Sequence, residues 1–176
     1  MIDIRRLEPD DLRLIGEIDR SERVRHAYRI VDGDFERYEV DWDIPTWYPG
    51  EGPHHVETHI DDMAPVLEIG GVLLGAFDGD AFAGIVIVVP RFEGTMAWLA
   101  FLHVSRPHRR SGVGAALWDE AARLARAAGA TSMYVSAITS GPAVDFYRRH
   151  GCEVAPEPHP DLLAKEPDDL HLICRL

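Results

Sequence analysis

The stretch Arg109-Arg110-Ser111-Gly112-Val113-Gly114 connects an apolar run, residues 96–104, to a helix-forming segment rich in Ala and Leu. A strand, a short glycine turn and a helix in this order suit anion binding. The first amides of a helix have no partner inside the helix, and the helix dipole places partial positive charge there. Glycine lets the backbone approach the anion without an intervening Cβ. The stretch therefore predicts a phosphate-bearing cofactor held by main-chain amides, with Arg109 and Arg110 close by.

The glycine spacing excludes two well-known phosphate loops. No Lys follows the glycines, as a P-loop would require, and Leu117 stands where the dinucleotide fingerprint needs a third glycine. The remaining pattern is R-x-x-G-x-G, as Arg109-x-x-Gly112-x-Gly114. With it the chain resembles the GNAT superfamily, the acetyl-CoA-dependent N-acetyltransferases. In that family the loop holds the pyrophosphate of coenzyme A, whereas the alternative for so short a pattern is an ordinary strand-to-helix turn.

A second segment strengthens the resemblance. Residues 140–152 are similar to the later family motif N-x-x-A-x-x-h-Y-x-x-x-G-F, where h is apolar. Four residues match it: Ala143, Phe146, Tyr147 and Gly151. Ser140 stands where Asn is usual, and Cys152 where Phe is usual. The segment follows the glycine stretch by one helix and one strand, and the resemblance covers residues 66–154 well and the N-terminal third loosely.

The resemblance implies how acetyl-CoA would be held as co-substrate. The pyrophosphate would meet the main-chain amides of Arg110, Ser111, Gly112, Val113 and Gly114. The side chains of Arg109 and Arg110 could reach the nucleotide's phosphates or form a solvated basic turn. Ser140 could cap the next helix or bind a polar group of the cofactor.

The resemblance also implies that the strands at 96–104 and 133–138 splay apart at their C-terminal ends. Backbone groups of Leu102 and Val104 would then be open to the pantetheine and to the acetyl oxygen, and the Leu102 amide would polarise the carbonyl. His103 points to the opposite face from these two residues and is expected in the core or on the cofactor side.

Tyr147 falls on the family's tyrosine, which protonates the coenzyme A sulfur, so we expect it to be the general acid. A phenol has an ordinary pKa near 10 and is protonated at neutral pH. Core packing of Phe146 and Tyr147 is the alternative.

The general base cannot be identified from the sequence. Regular alternation would place Trp98, Ala100, Leu102 and Val104 on one face of their strand, and none of these is a base. The candidates are Glu93, Glu68 and acids of residues 28–64, and the amine could also lose its proton to solvent.

Residues 28–64 form an aromatic and acidic insert, and we interpret its segment from Asp32 to Asp62 as the acceptor site. Trp42, Asp43 and Trp47 are the residues expected to bind an ammonium group through ring faces and a carboxylate. A solvated lid or a dimer contact is the alternative. His54, His55 and His59 do not have the spacing of a known metal site, and no metal is expected.

The composition limits the class of partner. The chain has 176 residues, 46% of them hydrophobic, and a net charge of −12. That charge disfavours nucleic acid and favours a cationic substrate, although it could serve solubility alone. We expect no membrane partner and a cytoplasmic location, since no apolar run is long enough to span a bilayer and no signal peptide is visible. The two cysteines are expected to be reduced and buried; a homodimer stays open.

The expected fold is a single α/β domain, residues 1–176, with helices on both faces of a mixed, mostly antiparallel sheet that contains one splayed parallel pair. The patterns predict strands at 2–5, 72–77, 83–89, 96–104, 133–138 and 171–176. Helices are predicted to begin near residue 8, at 113–128, and between Pro142 and Gly151.

The function expected from these features is transfer of an acetyl group to a primary amine by direct attack, with a small cationic molecule as acceptor. The alternatives are a regulatory module that binds coenzyme A without transfer, and a protein N-terminal or lysine acetyltransferase. A tRNA-acetylating toxin would conflict with the net charge of −12.

Overall fold

A computed structural model describes residues 1–47, 52 and 55–176. The strands in these residues are β1 (Ile2–Arg6), β2 (Glu22–Val31), β3 (Asp34–Ile44), β4 (Val72–Asp78), β5 (Ala81–Glu93), β6 (Met96–Val104), β7 (Ser132–Ala137), β8 (Cys152–Val154) and β9 (Leu170–Arg175). Seven of them form one sheet in the order β1-β4-β5-β6-β7-β9-β8, and β2 and β3 form a separate hairpin. Within the sheet only β6 and β7 run parallel. The predicted fold class is confirmed.

Helices cover both faces of the sheet. They are α1 (Val56–Glu68), α2 (Val113–Ala127), α3 (Gly141–Arg149) and α4 (Pro160–Lys165), with 3-10 helices at Pro9–Glu17 and Arg106–His108. The α2 face, as we call it, carries α2 and α3, and the α1 face carries α1 and the first 3-10 helix. Because a helix turns every 3.6 residues, the apolar stripe Leu117, Ala121 and Ala125 of α2 lies wholly in the core.

Coverage on both faces explains why the sequences of the central strands β5 and β6 are almost continuously apolar. Every residue of β5 from Ile85 to Val89 is at most 1% exposed, because the layers on both faces cover it. Burial of this kind contributes roughly 25 cal/mol for each Å² of apolar surface removed from water. The central layer is therefore rigid enough to place the strand ends on which the site is built.

The segment 28–64, interpreted from the sequence as an aromatic and acidic insert, consists mainly of regular elements. Most of it is regular: the hairpin of β2 and β3, joined by a turn with left-handed Asp32 and Gly33, and then helix α1. Ion pairs on the outer face of the hairpin, such as Arg23–Asp41 at 2.8 Å and Arg25–Asp41 at 3.0 Å, use the acids that the sequence had suggested for a binding site. These acids therefore support the hairpin.

Two features of the C-terminal edge differ from the sequence-based expectation. The predicted last strand, β9, is not the edge of the sheet, because the short strand β8, which was not predicted, pairs outside it. The cysteines are not reduced: Cys152 and Cys174 lie opposite each other in these two strands and form a disulfide. The sequence could not indicate this bond, because β8 is only three residues long and has no strand pattern of its own.

Candidate active site

The central feature of the site is a gap between β6 and β7. Their parallel register runs only from Met96 opposite Ser132 to Leu99 opposite Val135. Beyond these residues β6 continues to Val104 and β7 to Ala137, without pairing to each other. The splayed strands that the resemblance implied are therefore present. We call this opening the gap.

The backbone of β6 turns unpaired groups toward the gap. Ser105 N donates to Ala83 O of β5 at 2.9 Å. In an antiparallel pair such bonds recur at every second residue, so His103 and Phe101 bond to β5 as well. Leu102 and Val104 then direct their N–H and C=O groups away from β5. The Val104 carbonyl accepts from the Arg109 guanidinium at 3.0 Å, which leaves the Val104 N–H and both backbone groups of Leu102 toward the gap. This backbone geometry is compatible with the cofactor contacts expected of both residues, which stay a prediction.

His103 does not share that position. Its backbone groups bond to β5, and its imidazole lies on the α1 face, with ring centroids 4.6 Å from Phe101 and 5.8 Å from Trp47. The cofactor role predicted for His103 therefore has no geometric support.

A bulge in β6 explains why regular alternation gave the wrong faces. Phe101 pairs with Ile87 and Leu99 with Val88, so Ala100 is an extra residue. After the bulge, Phe101 stays on the α1 face with Ala100, while Leu102 joins Leu99 on the α2 face. The sequence interpretation that placed Trp98, Ala100, Leu102 and Val104 on one face is wrong for this reason.

The glycine loop, residues 109–114, lies at the C-terminal end of β6. Among the described residues, the amides of residues 110–114 donate to no backbone acceptor that closes a turn. Gly112 is the N-cap of α2 with a φ of 92°, which favours glycine. A Cβ on Gly114 would lie 3.2 Å from the ring of Phe146, so a larger residue would crowd helix α3. The loop thus presents backbone donors at a helix N-terminus, and their contact with a pyrophosphate stays a prediction.

The Arg109 side chain serves a different purpose from the phosphate contact expected of it. Its guanidinium donates to the carbonyls of Val104 at 3.0 Å, Ser21 at 3.2 Å and Asp19 at 3.4 Å, and pairs with Glu22 at 3.2 Å. These bonds join the start of β2 to the end of β6. Arg110, by contrast, is exposed, with a left-handed φ of 61°.

The other end of β2 is joined to the segment that follows β7. Tyr28 N donates to Thr139 O at 2.9 Å, and Ala27 forms an isolated bridge with Ser140. β2 therefore runs from the end of β6 to the end of β7, across the open end of the gap. Sequence reasoning missed this arrangement, because nothing in the local pattern of β2 specifies a partner far along the chain.

Ser140 is the N-cap of α3, but its hydroxyl does not cap the helix. The residue is 2% exposed, and its Oγ has no hydrogen-bond partner in the described part of the chain. A buried polar atom without a partner is costly, so a ligand group that bonds to it would be stabilised.

The start of α3 is held by a polar cluster that the sequence did not reveal. His26 Nε2 lies 3.0 Å from an oxygen of Asp145, and the Tyr28 hydroxyl donates to the other oxygen at 2.8 Å. A Cβ on Gly141 would lie 2.2 Å from the His26 ring, so only glycine fits there. This cluster fixes α3 relative to the gap.

Tyr147 lies on the α2 face, buried against Trp118 and Phe146. Burial raises the pKa of its hydroxyl, and the carboxylates of Asp169 and Glu166 raise it further. The phenol therefore stays protonated at neutral pH, which is the state that an acid requires.

Acidic side chains meet at the turn before β9, close to Tyr147. Burial raises the pKa of Asp169 to about 6, with contributions from Glu166 and Asp168. Leu170 pairs with Ala137, so this turn lies beside the gap end of β7.

The predicted acceptor residues separate in the structure. Trp47 lies on the α1 face beside the gap strand β6, 4.7 Å from the His59 ring, with the Arg20 guanidinium 4.4 Å from its centroid. Asp43 is 84% exposed on the outer face of the hairpin, 3.9 Å from Arg23. Trp42 is 39% exposed and pairs across the hairpin with buried Val24. Trp47 is thus the residue of the three that contacts a gap strand.

Four aromatic rings on the α1 face contact one another and define what we call the α1-face pocket: Trp47, His59, Phe101 and His103. Burial, together with the charges of His59, Arg20 and Arg109, lowers the pKa of His103 to about 3. His103 is therefore neutral at physiological pH.

Two remaining observations concern metals and membranes. In the described residues no group of three or more His, Cys, Asp or Glu side chains is arranged to hold a metal ion, and His54 of the histidine set lies outside those residues. None of the described helices is both long and apolar enough to cross a bilayer.

The chain is similar in fold to several solved acetyltransferases. A nourseothricin acetyltransferase superimposes with a TM-score of 0.72 at 20% identity, covering 99% of this chain and 98% of that one. A Bacillus anthracis protein provisionally named a streptothricin acetyltransferase, solved with acetyl coenzyme A, gives 0.72 at 17% identity over 100% and 99%. The PaiA N-acetyltransferase of Thermoplasma acidophilum, solved with coenzyme A, gives 0.65 at 16% identity over 100% and 99%.

No curated protein sequence matches the chain. Residues 37–152 match the model of the acetyltransferase (GNAT) family. This range contains most of β3, the gap strands β6 and β7, the glycine loop and helix α3. The chain therefore belongs to the GNAT family of acetyltransferases.

Proposed function

We propose that the protein transfers the acetyl group of acetyl-CoA directly to a primary amine, without an acyl-enzyme intermediate. The observation that carries this proposal is the gap, whose edge presents the Leu102 and Val104 backbone groups next to the free amides of the glycine loop. Main-chain donors at one end and a carbonyl-polarising amide further along suit a long, phosphate-bearing thioester.

The residues fit the cofactor in a defined order. The amides of residues 110–114 would bind the pyrophosphate, and exposed Arg110 would add charge there. The pantetheine arm would follow β6 along Val104 and Leu102, and the buried Ser140 hydroxyl would bond to one of its polar groups. The Leu102 N–H would polarise the thioester carbonyl, since a fixed donor stabilises the developing oxyanion.

Tyr147 would act as the general acid. As the amine nitrogen bonds to the carbonyl carbon, the carbon–sulfur bond breaks and its electron pair leaves on sulfur, which takes the phenolic proton. The raised pKa of Tyr147 keeps that proton in place until thiolate charge develops nearby.

The acceptor side suits a small cationic amine. The carboxylates of Glu166, Asp168 and Asp169 lie beside the gap end of β7 and would attract an ammonium group, as would the net charge of −12. Trp47 would form a wall of the pocket. The exposed Asp43 is too strongly solvated to contribute much, and Trp42 would contact only a large acceptor.

We also infer that residues 1–176 act as one transferase domain. β1 and β9, from opposite ends of the chain, belong to the same sheet, and β2 crosses the gap.

The test is release of free coenzyme A from acetyl-CoA in the presence of a panel of amines that includes nourseothricin, streptothricin, polyamines and a peptide with a free N-terminus. We expect turnover with at least one small cationic amine. Tyr147→Phe should lower kcat by roughly 100-fold while acetyl-CoA still binds. Tyr38→Phe, on the hairpin, should leave kcat unchanged.

Three outcomes would oppose the proposal in different ways. Binding of acetyl-CoA without turnover by any amine would indicate a regulatory module, and turnover with the peptide alone would indicate a protein acetyltransferase. Unchanged kcat in Tyr147→Phe would remove Tyr147 as the acid.

A further inference from the structure

The search for a proton acceptor leads to Ser136, which lies on β7 at the edge of the gap. It is the first residue of β7 beyond the parallel pairing, which ends at Val135. Its side chain lies on the α1 face, because it bonds to His171, and it remains partly exposed. A hydroxyl at this place reaches the gap from the face opposite Tyr147.

A buried chain of hydrogen bonds continues behind Ser136. Its Oγ lies 3.4 Å from His171 Nδ1, and the Tyr134 hydroxyl lies 2.8 Å from the same nitrogen. His171 and Tyr134 are 6% and 2% exposed. Ser136 is therefore the solvent-facing end of a chain that runs into the core.

The partners of His171 fix its tautomer. Nε2 lies 3.0 Å from the carbonyl oxygen of Glu166, which can only accept, so Nε2 carries a proton. Nδ1 is then the acceptor in the neutral ring, and the Tyr134 hydroxyl donates to it while accepting from the backbone N–H of His159 at 2.9 Å. The Nδ1 lone pair thus accepts from Tyr134 at 2.8 Å and faces Ser136 only across the longer 3.4 Å contact, so it can take a proton from Ser136 once the Tyr134 hydroxyl turns away.

The thioester and the amine would approach the gap from opposite faces of the sheet. The glycine loop leads into α2 and Tyr147 lies on the same face, so the thioester would enter from the α2 face. The amine is left with the α1 face, where Ser136 lies on β7 and the α1-face pocket lies against β6. On this basis we propose that Ser136 is a catalytic residue that accepts the proton of the attacking amine, with His171 and Tyr134 as positioning residues behind it.

This inference rests on the proposed transferase function, and its proton balance is complete. When the nitrogen bonds to the carbonyl carbon, its proton passes to Ser136 Oγ as the serine proton passes to His171 Nδ1. The ring becomes an imidazolium, and the Tyr134 hydroxyl turns from donor to acceptor toward it. The departing sulfur takes its proton from Tyr147, and solvent restores both residues afterwards.

Several polar and charged groups surround His171. Tyr134 approaches from β7, and Glu166 and Asp169 lie in the turn before β9. His159, at the start of α4, is paired with Glu93 of β5 at 3.1 Å.

The test uses acetylation kinetics of the full chain with an amine that the wild type accepts. Ser136→Ala and His171→Gln should each lower kcat by roughly 100-fold, with the KM for acetyl-CoA unchanged. Ser136→Thr keeps the hydroxyl and should retain most activity. Ser132→Ala is the matched control: it lies on the same strand and face, but within the paired part of β7 opposite Met96, and should behave as wild type.

The division between kcat and KM separates a proton relay from a merely structural role. Loss of the relay should lower kcat and leave both KM values and the free energy of unfolding unchanged, whereas a loss of packing around His171 would raise the KM values and lower the free energy of unfolding. Wild-type kcat in Ser136→Ala and His171→Gln would overturn the relay and leave the transferase intact. Absence of any transfer by the wild type would instead refute the proposed function.

Discussion

The cofactor side and the acceptor side of the gap use different chemical groups. On the cofactor side the ligand groups are backbone amides of one short loop, residues 109–114, and of one strand, β6. On the acceptor side they are side chains gathered from the segment after β3, from α1, β6, β7 and the turn before β9. A main-chain site needs glycines at fixed spacing, which a sequence displays, whereas a side-chain site depends on contacts that only the fold creates.

This difference also divides specificity from chemistry. Main-chain donors bind phosphate and polarise a carbonyl whatever the acceptor is, so they suit the common half of the reaction. Side chains on the α1 face can change without disturbing the loop. The predictions that follow test whether the two sides can be perturbed separately.

The largest effect is expected on the acceptor side, in the stability of the fold at low pH. The pKa of His103 is about 3 in the folded state, below the ordinary histidine value of 6.5, so the unfolded state binds an extra proton as the pH falls. The contribution of neutral His103 to the free energy of unfolding is complete above about pH 6.5 and is lost as the pH falls toward 3. The expected loss is about 3 kcal/mol, a figure reduced because the residue keeps some exposure to solvent.

Urea titrations of His103→Phe across this range check the effect. The variant should lose most of the extra decline in the free energy of unfolding, and His108→Phe should keep it. Equal slopes in wild type and His103→Phe would show that the α1-face pocket is open enough to solvate the ring.

The next effect separates two adjacent arginines of the cofactor side. Arg109→Ala should lower the free energy of unfolding by about 2 kcal/mol, because it leaves carbonyls of Val104 and Ser21 without their donor. Arg110→Ala removes an exposed side chain, so it should leave stability unchanged and weaken acetyl-CoA binding several-fold. Denaturation and calorimetry on both variants measure the contrast, and the reverse pattern would mean that Arg109 is the phosphate ligand.

The smallest effect is expected from substitutions of Trp47 and Asp43, two residues that were expected to bind the acceptor. Trp47→Leu should raise the KM for the amine about tenfold, the equivalent of about 1.4 kcal/mol, with the KM for acetyl-CoA unchanged. Asp43→Asn lies on the outer face of the hairpin and should change neither constant more than twofold. A large effect of Asp43→Asn would place the acceptor on the hairpin surface.

The elements of the fold that could be predicted from the sequence are those with a local pattern of their own. Strand β6 and helix α2 were found almost to the residue, because an apolar run, a glycine turn and an amphipathic helix each have a local signature. The bulge at Ala100 has no such signature, since it depends on the partner strand β5, and it reversed the expected faces of β6.

The contacts of the remaining site residues could not be predicted either, because they also depend on distant parts of the chain. Ser136 and His171 are unremarkable in the sequence and become a pair only because β9 inserts next to β7. Arg109 was correctly placed in the loop, but its carbonyl partners at Asp19 and Ser21 come from a distant part of the chain. Long-range pairing thus decided what each polar side chain contacts.

The central claim is that the main chain of the glycine loop binds acetyl-CoA, and a pair of matched glycines at the two ends of α2 tests it directly. Gly112 and Gly129 both have a φ of 92°, and a Cβ on either would meet no atom within 4 Å. Alanine at either position should therefore cost similar backbone strain, about 1–2 kcal/mol. Calorimetry with acetyl-CoA should show affinity at least tenfold weaker for Gly112→Ala and unchanged for Gly129→Ala. Equal affinities in the two variants, or no binding by the wild type, would contradict the account.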